Sequence, residues 1–416
     1  MTTAAPRRRL TLDLAPARTS RPFRNLLIGD AVSVIGTQVT AVAVPLQVYA
    51  QTRSAAAVGL VGIAGLVPLI VFGLYGGAVA DAVDRRRLVL LTTTAQAGLS
   101  AVLLTQALAG VEWTWLLYLV VAAQAALFAL DSPARQAFIP RLLPAEQLPS
   151  ANALRQVEFN VGMTGGPLLA GVIVAAFGFS TAYGLDAISF SASLWAVASL
   201  PSMAPEGGGR KAGLASVLEG LAFLRTRRVL MLTFVVDIIA MVFGMPRTLF
   251  APLADNVFGG GETAAGALYA AIPAGALLGA VFGGWFSHVH KQGVAVILAI
   301  VGWGACVIGF GLTGNLYVAL LFLAGAGMAD MISAVFRTAI LQTAAPDEMR
   351  GRLGGVFIVV VAGGPRLGDG RAGGFASWFG LQEAVVIGGI LVIGLTLLVA
   401  ALVPRFLAYD SRHPEP

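Results

Sequence analysis

Gly77-Ala-Val-Ala-Asp81-Ala-Val-Asp84-Arg85-Arg86-Arg87 is set between two apolar runs, at about 56–80 and 88–110. Each run is long enough to cross about 30 Å of hydrocarbon, which takes about 20 helical residues. Two such helices joined by so few residues must form a tight hairpin, and glycine near the end of the first lets the backbones approach closely. The carboxylates and arginines of the turn then sit at a membrane face.

Composition extends this reading to the whole chain. With 57% hydrophobic and 12% charged residues, a soluble domain is excluded. The 416 residues leave room for twelve spans with very short loops, at 25–50, 56–80, 88–110, 114–134, 151–173, 180–200, 228–252, 264–287, 294–313, 316–340, 353–376 and 380–404. Basic residues in short loops favour the cytoplasm. With both ends inside, the cytoplasmic segments collect Arg7 to Arg9, Arg85 to Arg87, Arg135, Arg141, Arg225, Arg227, Arg228, Arg350 and Arg352, while the opposite loops hold only Arg53. The net charge of +6 therefore reports topology and not nucleic-acid binding. Trp113, Trp115, Tyr49, Tyr183, Tyr317 and Trp378 fall near the expected outer interface, where amphipathic rings prefer to sit. Arg7 to Arg9 read as part of an uncleaved cytoplasmic tail, since a polar stretch runs on to Arg24 before a full-length span begins.

Several chemistries are absent. Cys306 stands alone in a span, and His288, His290 and His413 have no carboxylate or cysteine partners, so neither a disulfide nor a metal site is expected. No Gly-x-x-x-x-Gly-Lys loop is present for ATP, and no nucleophile and base pair suggests an enzyme. No cofactor is expected.

The chain repeats itself. A shift of 202 lays Arg135-Gln-Ala-Phe-Ile over Arg337-Thr-Ala-Ile-Leu, Pro144-Ala-Glu146 over Pro346-Asp-Glu348, and Gly162, Gly166 and Gly171 over Gly364, Gly368 and Gly373; a shift of 207 lays Gly77 over Gly284 and Asp81 over His288. Parallel duplication of six-helix units is the arrangement of transporters that rock about a midplane site. The expected fold is thus all-α and membrane-embedded, with twelve transmembrane helices in two pseudo-symmetric halves. The divisions are a tail at 1–24, a first half at 25–200, a linker with an amphipathic surface helix at 201–227, a second half at 228–404 and a tail at 405–416.

Particular motifs resemble a known family. Gly77-x-x-x-Asp81-x-x-Asp84-Arg85-Arg86 resembles the loop motif between helices 2 and 3 of the major facilitator superfamily, and Gly162-x-x-x-Gly166-Pro167 resembles its helix 5 antiporter motif. Phe23-Arg24, Ala43-Val44-Pro45-Leu46-Gln47, Leu253-Ala254-Asp255-Asn256, Leu268-Tyr269-Ala270-Ala271-Ile272-Pro273 and Leu341-Gln342-Thr343 are similar to the bacterial enterobactin exporter branch, with drug exporters close by. The resemblance covers both halves and implies a major facilitator exporter. It also implies that Gly77, Asp81, Asp84, Arg85, Arg86 and Arg87 gate the inner side: Asp81 accepts from amides opening a facing helix near Arg350 and Arg352, while Asp84 and the arginines form exchangeable ion pairs. Ala82 stands where a basic residue is common, and the second copy has His288, so this latch should be asymmetric.

Gly162, Gly166 and Pro167 are expected to let helix 5 bend and pack against the other half. Gly364, Pro365, Arg366, Gly368 and Asp369 put proline, glycine and charge inside helix 11, which predicts irregular backbone, a hinge or a cavity wall. Ionisable groups within spans are costly and point to substrate or proton sites, which singles out Asp30, Asp186, Asp237, Arg247, Asp330 and Arg337, together with the pair Arg155 and Glu158. Asp237 and Asp330 have no opposite charge three or four residues away and are the favoured proton carriers; Arg247 and Arg337 are placed to attract an anion. Asp131 and Arg135, with Pro133 between them, read as interfacial. Helix 4 offers only Gln124 where drug and proton antiporters commonly carry arginine, so those coupling residues do not transfer. The expected activity is proton-driven export of a catecholate siderophore by alternating access, working as a monomer in the cell membrane with lipid, protons and a small molecule as partners. The alternative is a multidrug or antibiotic antiporter, followed by an importer or a membrane sensor.

Overall fold

Short polar residues start the helices where the sequence places its turns. Ser20 accepts a hydrogen bond from the Phe23 amide and opens α1, Arg21–Thr52; Ser54 accepts from Ala57 and opens α2, Ala55–Ala82; Asp84 accepts from Arg87 and opens α3, Arg85–Leu108. Each cap satisfies one of the amides that a helix start leaves bare. The computed structural model describes residues 13–203, 219, 222–344, 347–410 and 412; the side chains of 77, 78, 81, 228, 284, 285, 287, 347–355 and 357–359 also lie outside the description.

α4 is Thr114–Gln136. A continuous run, Leu148–Ala198, is broken at Gly178, whose φ of 78° and ψ of 177° only glycine adopts freely, giving α5 at 148–177 and α6 at 179–198. α7 comes in two pieces, Arg228–Gly244 and Phe250–Asn256, separated by an extended residue and a 3-10 turn. α8 is Gly261–Val281, α9 Gln292–Leu312, α10 Leu316–Ala344, α11 Asp347–Phe379 and α12 Leu381–Leu402. Among the described residues, ten stretches are long and apolar enough to cross a membrane. One of them, Ala145–Ala198, holds both α5 and α6. α11 is not among them, since Arg366, Asp369 and Arg371 interrupt it.

The packing repeats between the first six helices and the last six. α2 lies on α4 as α8 lies on α10, and α3 on α6 as α9 on α12. Between the two sets, α2 lies on α11 and α5 on α8. These crossings are the same contact seen from either copy.

The loops at Arg53, 109–113, Gly178, 257–260, 313–315 and Gly380 share one end of the bundle, the far face; the other end is the termini face. At the far face α2 and α11 meet glycine to backbone. A Cβ placed on Gly59 would stand 2.8 Å from the Asp369 carbonyl oxygen, and one on Gly373 would stand 2.6 Å from that of Ala55. α5 and α8 do the same, where a Cβ on Gly171 would be 3.0 Å from the Gly266 Cα. Bare backbone surfaces are what let helices approach this closely in lipid, where packing drives association.

Trp113, Trp115, Tyr317 and Trp378 are exposed toward the far face, as an interfacial belt requires. Tyr49 and Tyr183 are not part of it. Both are buried and hydrogen-bonded through their hydroxyls. The expected linker and surface helix lie mostly outside the described residues, apart from a helical stretch at 222–226.

Candidate functional site

Charge is concentrated in the termini-face third of the first six helices. Asp30 of α1 receives Arg135 of α4 at 3.0 Å and Arg155 of α5 at 3.2 Å. Arg135 also binds Asp131 at 2.9 Å, donates to Thr93 of α3 at 2.6 Å and reaches Ser193 of α6 at 3.4 Å. Thr92 donates to Asp131 at 3.3 Å. Glu158 lies on α5 one turn from Arg155, with Oε2 buried and without a hydrogen-bond partner. This cluster ties five helices together. Asp131 and Arg135 are therefore core groups, not interfacial ones: α4 continues through Pro133, and Asp131 is only 2% exposed. Arg155 turns to Asp30 and not to Glu158 alone.

The last six helices carry a simpler version. Arg337 of α10 pairs closely with Asp237 of α7 and stands 3.7 Å from Asp330. The expectation that Asp237 and Asp330 lack a counter-ion is thus corrected. A search at three and four residues sees only one helix, whereas Asp237 is paired across α7 and α10, and Asp330 lies two turns from Arg337. Arg337 is in turn occupied, and is not free to attract an anion. The repeat offsets already carried this pairing. Asp30 shifted by 207 is Asp237, and Arg135 shifted by 202 is Arg337.

The quoted turn is bound within its own half. Asp84 accepts from the Arg87 amide at 2.9 Å, Ser202 Oγ at 2.6 Å and the Met203 amide at 3.0 Å. Burial is the largest single influence and opposes ionisation, but the Ser202 hydroxyl and the Arg87, Met203 and Arg86 amides together outweigh it and hold the Asp84 carboxyl below the usual range. Arg86 donates to the carbonyls of Val197 at 3.2 Å and Ala198 at 2.7 Å, satisfying the free end of α6. The Arg85 amide donates to the Met203 carbonyl. Asp84 and Arg86 thus form caps within their own half in this conformation. The side chains of Gly77 and Asp81, and of Arg350 and Arg352 opposite, lie outside the described residues.

α11 is helical straight through Gly364, Pro365, Arg366, Gly368 and Asp369, so the irregular backbone expected there is absent. The break lies in α7, at 245–249, and the charges of α11 serve it. Arg371 donates to the Val242 carbonyl at 3.1 Å and the Phe243 carbonyl at 2.5 Å, the acceptors that the end of the first α7 segment leaves unpaired. Asp369 accepts from Thr248 at 2.9 Å. Arg247 stands over the Tyr269 ring at 5.8 Å, and Arg247 and Arg366 are both within electrostatic range of Asp369. Arg366 donates to the Ala362 carbonyl at 2.7 Å and lies where α11 faces Gly65 of α2. Two guanidiniums and one carboxylate, with an aromatic ring, thus gather near the contact between the two sets of helices.

Gly162 and Gly166 meet Val34 and Gln38 of α1, in the same half. The contact with the other half is made one turn later, by the Pro167 carbonyl and Gly171 against Gly266. At the far face Arg53 binds Asp255 at 2.6 Å and Asn256 donates to the Tyr49 hydroxyl at 2.5 Å, both across the two sets. Among the described residues Asp186 stands apart from every ion pair, on α6 between Thr40 and Ser100. Among the described residues no group of histidine, cysteine and carboxylate side chains is arranged to hold a metal.

These features agree with comparisons to known proteins. The chain matches the family described as transmembrane secretion effector over residues 11–415. It is 30% identical over 400 residues to the enterobactin exporter EntS of Shigella boydii, covering 93% of each chain. Among solved structures, it resembles the nucleoside transporter NupG with a TM-score of 0.75 at 13% identity, covering 92% of this chain and 99% of that one. A POT peptide transporter in complex with alafosfalin gives a TM-score of 0.76 at 12% identity, covering 94% and 95%. The relatives and the fold are those of membrane transporters and not of enzymes, and the chain belongs to the transmembrane secretion effector family, as a multi-span membrane transporter of the major facilitator type.

Proposed function

We propose that this protein exports a catecholate siderophore across the cytoplasmic membrane by alternating access, driven by the proton gradient. The observation that carries the reading is the group of Arg247, Arg366, Asp369 and Tyr269 near the contact of the two sets of helices. Its excess of guanidinium and its aromatic ring suit an aromatic cargo bearing ionisable hydroxyls. The likeness to an enterobactin exporter over nearly the whole chain supports the same cargo.

All twelve helices cross the membrane in this reading, and both ends are cytoplasmic, because Arg53 is the basic residue of the far-face loops. The far face is then the outer side, closed in this conformation by the glycine contacts. The units 25–200 and 228–404 rock about those contacts as a monomer, and Gly77, Asp81, Asp84 and Arg85 to Arg87 hold the inner side in the opposite state. Asp330 takes the coupling proton. It is 34% exposed and is the more loosely held partner of Arg337, so neutralising it leaves the closer pair with Asp237 intact.

Everted vesicles containing the full-length protein test this directly. An acid interior should drive accumulation of enterobactin, and collapsing the gradient should release it. Accumulation of apolar drugs but not enterobactin would overturn the cargo; accumulation indifferent to the gradient would overturn the coupling.

A further inference from the structure

The first six helices contain a buried polar seam that is separate from the cargo group and meets the charged cluster only at Ser193. At its middle is Asp186, 1% exposed, with no ion pair among the described residues. Thr40 of α1 at 2.8 Å and Ser100 of α3 at 2.6 Å both donate to Oδ2. Oδ1 is buried and has no partner. An ionised carboxylate here would have no opposite charge and one oxygen wholly bare, in surroundings that punish both. A neutral acid leaves only a weak acceptor unserved.

From Asp186 the seam runs to the far face. Tyr183, one turn along α6, donates to Gln47 of α1 at 2.6 Å, Gln47 donates to Gln106 of α3 at 3.2 Å, and Gln106 donates to the Val111 carbonyl in a far-face loop. Toward the termini face, Ser189 donates to the Asp186 carbonyl at 2.8 Å, and Ser193, two turns along, receives Arg135.

The fold does not require this seam, since the last six helices repeat the architecture without it. At the repeat offsets, Asp186 becomes Gly388, Tyr183 becomes Val385, Ser100 becomes Val307 and Gln47 becomes Ala254. Thr40 and Gln106 keep polar counterparts, Arg247 and Thr313, but a buried carboxylate with tyrosine, serine and glutamine beside it is present in one copy alone, which calls for a function of its own.

We propose that Asp186 is a second proton-binding site, in the first six helices, loaded from the far-face end of this polar seam. It rests on the proton-coupled reading above and adds a residue to it. Loading takes a proton from water at the far face and leaves a neutral acid; unloading returns the proton to water on the termini side and leaves a carboxylate. The groups facing Asp186 are Thr40 from α1 and Ser100 from α3, with Gln124 of α4 bonded to Ser100 at 3.5 Å. Tyr183 is its titratable neighbour on α6. The nearest charges along the seam belong to the cluster of Asp30, Asp131, Arg135, Arg155 and Glu158.

Infrared difference spectra of the full-length protein in lipid vesicles, titrated over pH, test the proposal without any cargo. The wild-type protein should show a protonated-carboxyl stretching band that Asp186→Asn loses and that exposed Glu112→Gln keeps. Persistence of the whole band in Asp186→Asn overturns the proposal. Should that variant fail to fold, Ser100→Ala decides: removing a donor to the carboxylate should move the band's disappearance to higher pH, and an unmoved midpoint overturns the proposal. Gradient-driven enterobactin accumulation in everted vesicles is read alongside. Loss in Asp186→Asn with downhill exchange retained is the expected result, and full retention overturns the coupling role of Asp186. Absence of gradient dependence in the wild-type protein would instead remove the proton-coupled reading while leaving the infrared result to stand or fall alone.

Discussion

At the termini face each set of six helices is tied internally by buried charge, Arg135 to Asp30 and Asp131 in one and Arg337 to Asp237 in the other. At the far face the two sets meet through glycine against backbone, with an exposed pair, Arg53 and Asp255, at the rim. Breaking a buried pair by removing one partner costs about 3–5 kcal/mol, while exposed pairs contribute about 0.2–1 kcal/mol. Losing one partner is therefore far more disruptive within each set than between the sets. A transporter that rocks needs that order of strengths, because its halves must stay rigid while their contact opens and closes.

The largest effect that sharpens this contrast is expected from Arg135→Ala. It strands Asp30 and Asp131 without their shared guanidinium, and it also unties Thr93 and Ser193. The loss should reach at least about 3–5 kcal/mol, seen as a large fall in the thermal midpoint of the purified protein. Arg337→Ala should cost less, because it disturbs fewer helices, and Arg337→Ala with Asp237→Asn should recover part of the loss by removing the stranded charge. Equal midpoints for Arg135→Ala and wild type would show that the cluster is not what holds the first six helices together.

Gly171→Leu attacks the contact between the sets instead. Its Cβ would lie 2.6 Å from the Glu262 carbonyl oxygen and 3.0 Å from the Gly266 Cα, both backbone atoms that cannot turn aside. Overpacking of this kind costs about 1–3 kcal/mol, here charged mainly to the conformation closed at the far face. Spin labels at Glu112 and Gly314, one in each set, should move toward longer distances, with the thermal midpoint changing less than in Arg135→Ala. A distance distribution unchanged from wild type would mean that this glycine contact does not govern closure.

How much of this was legible in the sequence follows from the range of each signal. The turn at Asp84, the helix runs and the duplication are local or self-similar patterns, and they lie where the chain alone puts them. In the sequence Asp131 and Arg135 read as interfacial because Pro133 stands between them; proline in the last turn removes one amide bond without stopping the helix there, so both stay on one face of α4. Asp237 reads as unpaired within its own helix because its partner is on another helix, 100 residues away, although the repeat offsets relate the two to the pair Asp30 and Arg135. The charges of α11 suggested a hinge in the helix that carries them, whereas Arg371 and Asp369 act on the break in α7, which only the folded arrangement brings beside them.

The smallest effect is expected at the rim. Arg53→Ala removes the pair with Asp255, but both side chains are well exposed, 68% and 45%, so water replaces most of what is lost. The change should be at most about 1 kcal/mol and should fade at high salt. Tyr49 and Asn256 hold the same two helices together from within, where Tyr49 is buried, so Tyr49→Phe should open the far face more than Arg53→Ala in the same spin-label measurement. The reverse order would place the closing force in the exposed charges and not in the packed interior, and the contrast between the two ends of the bundle would have to be drawn the other way.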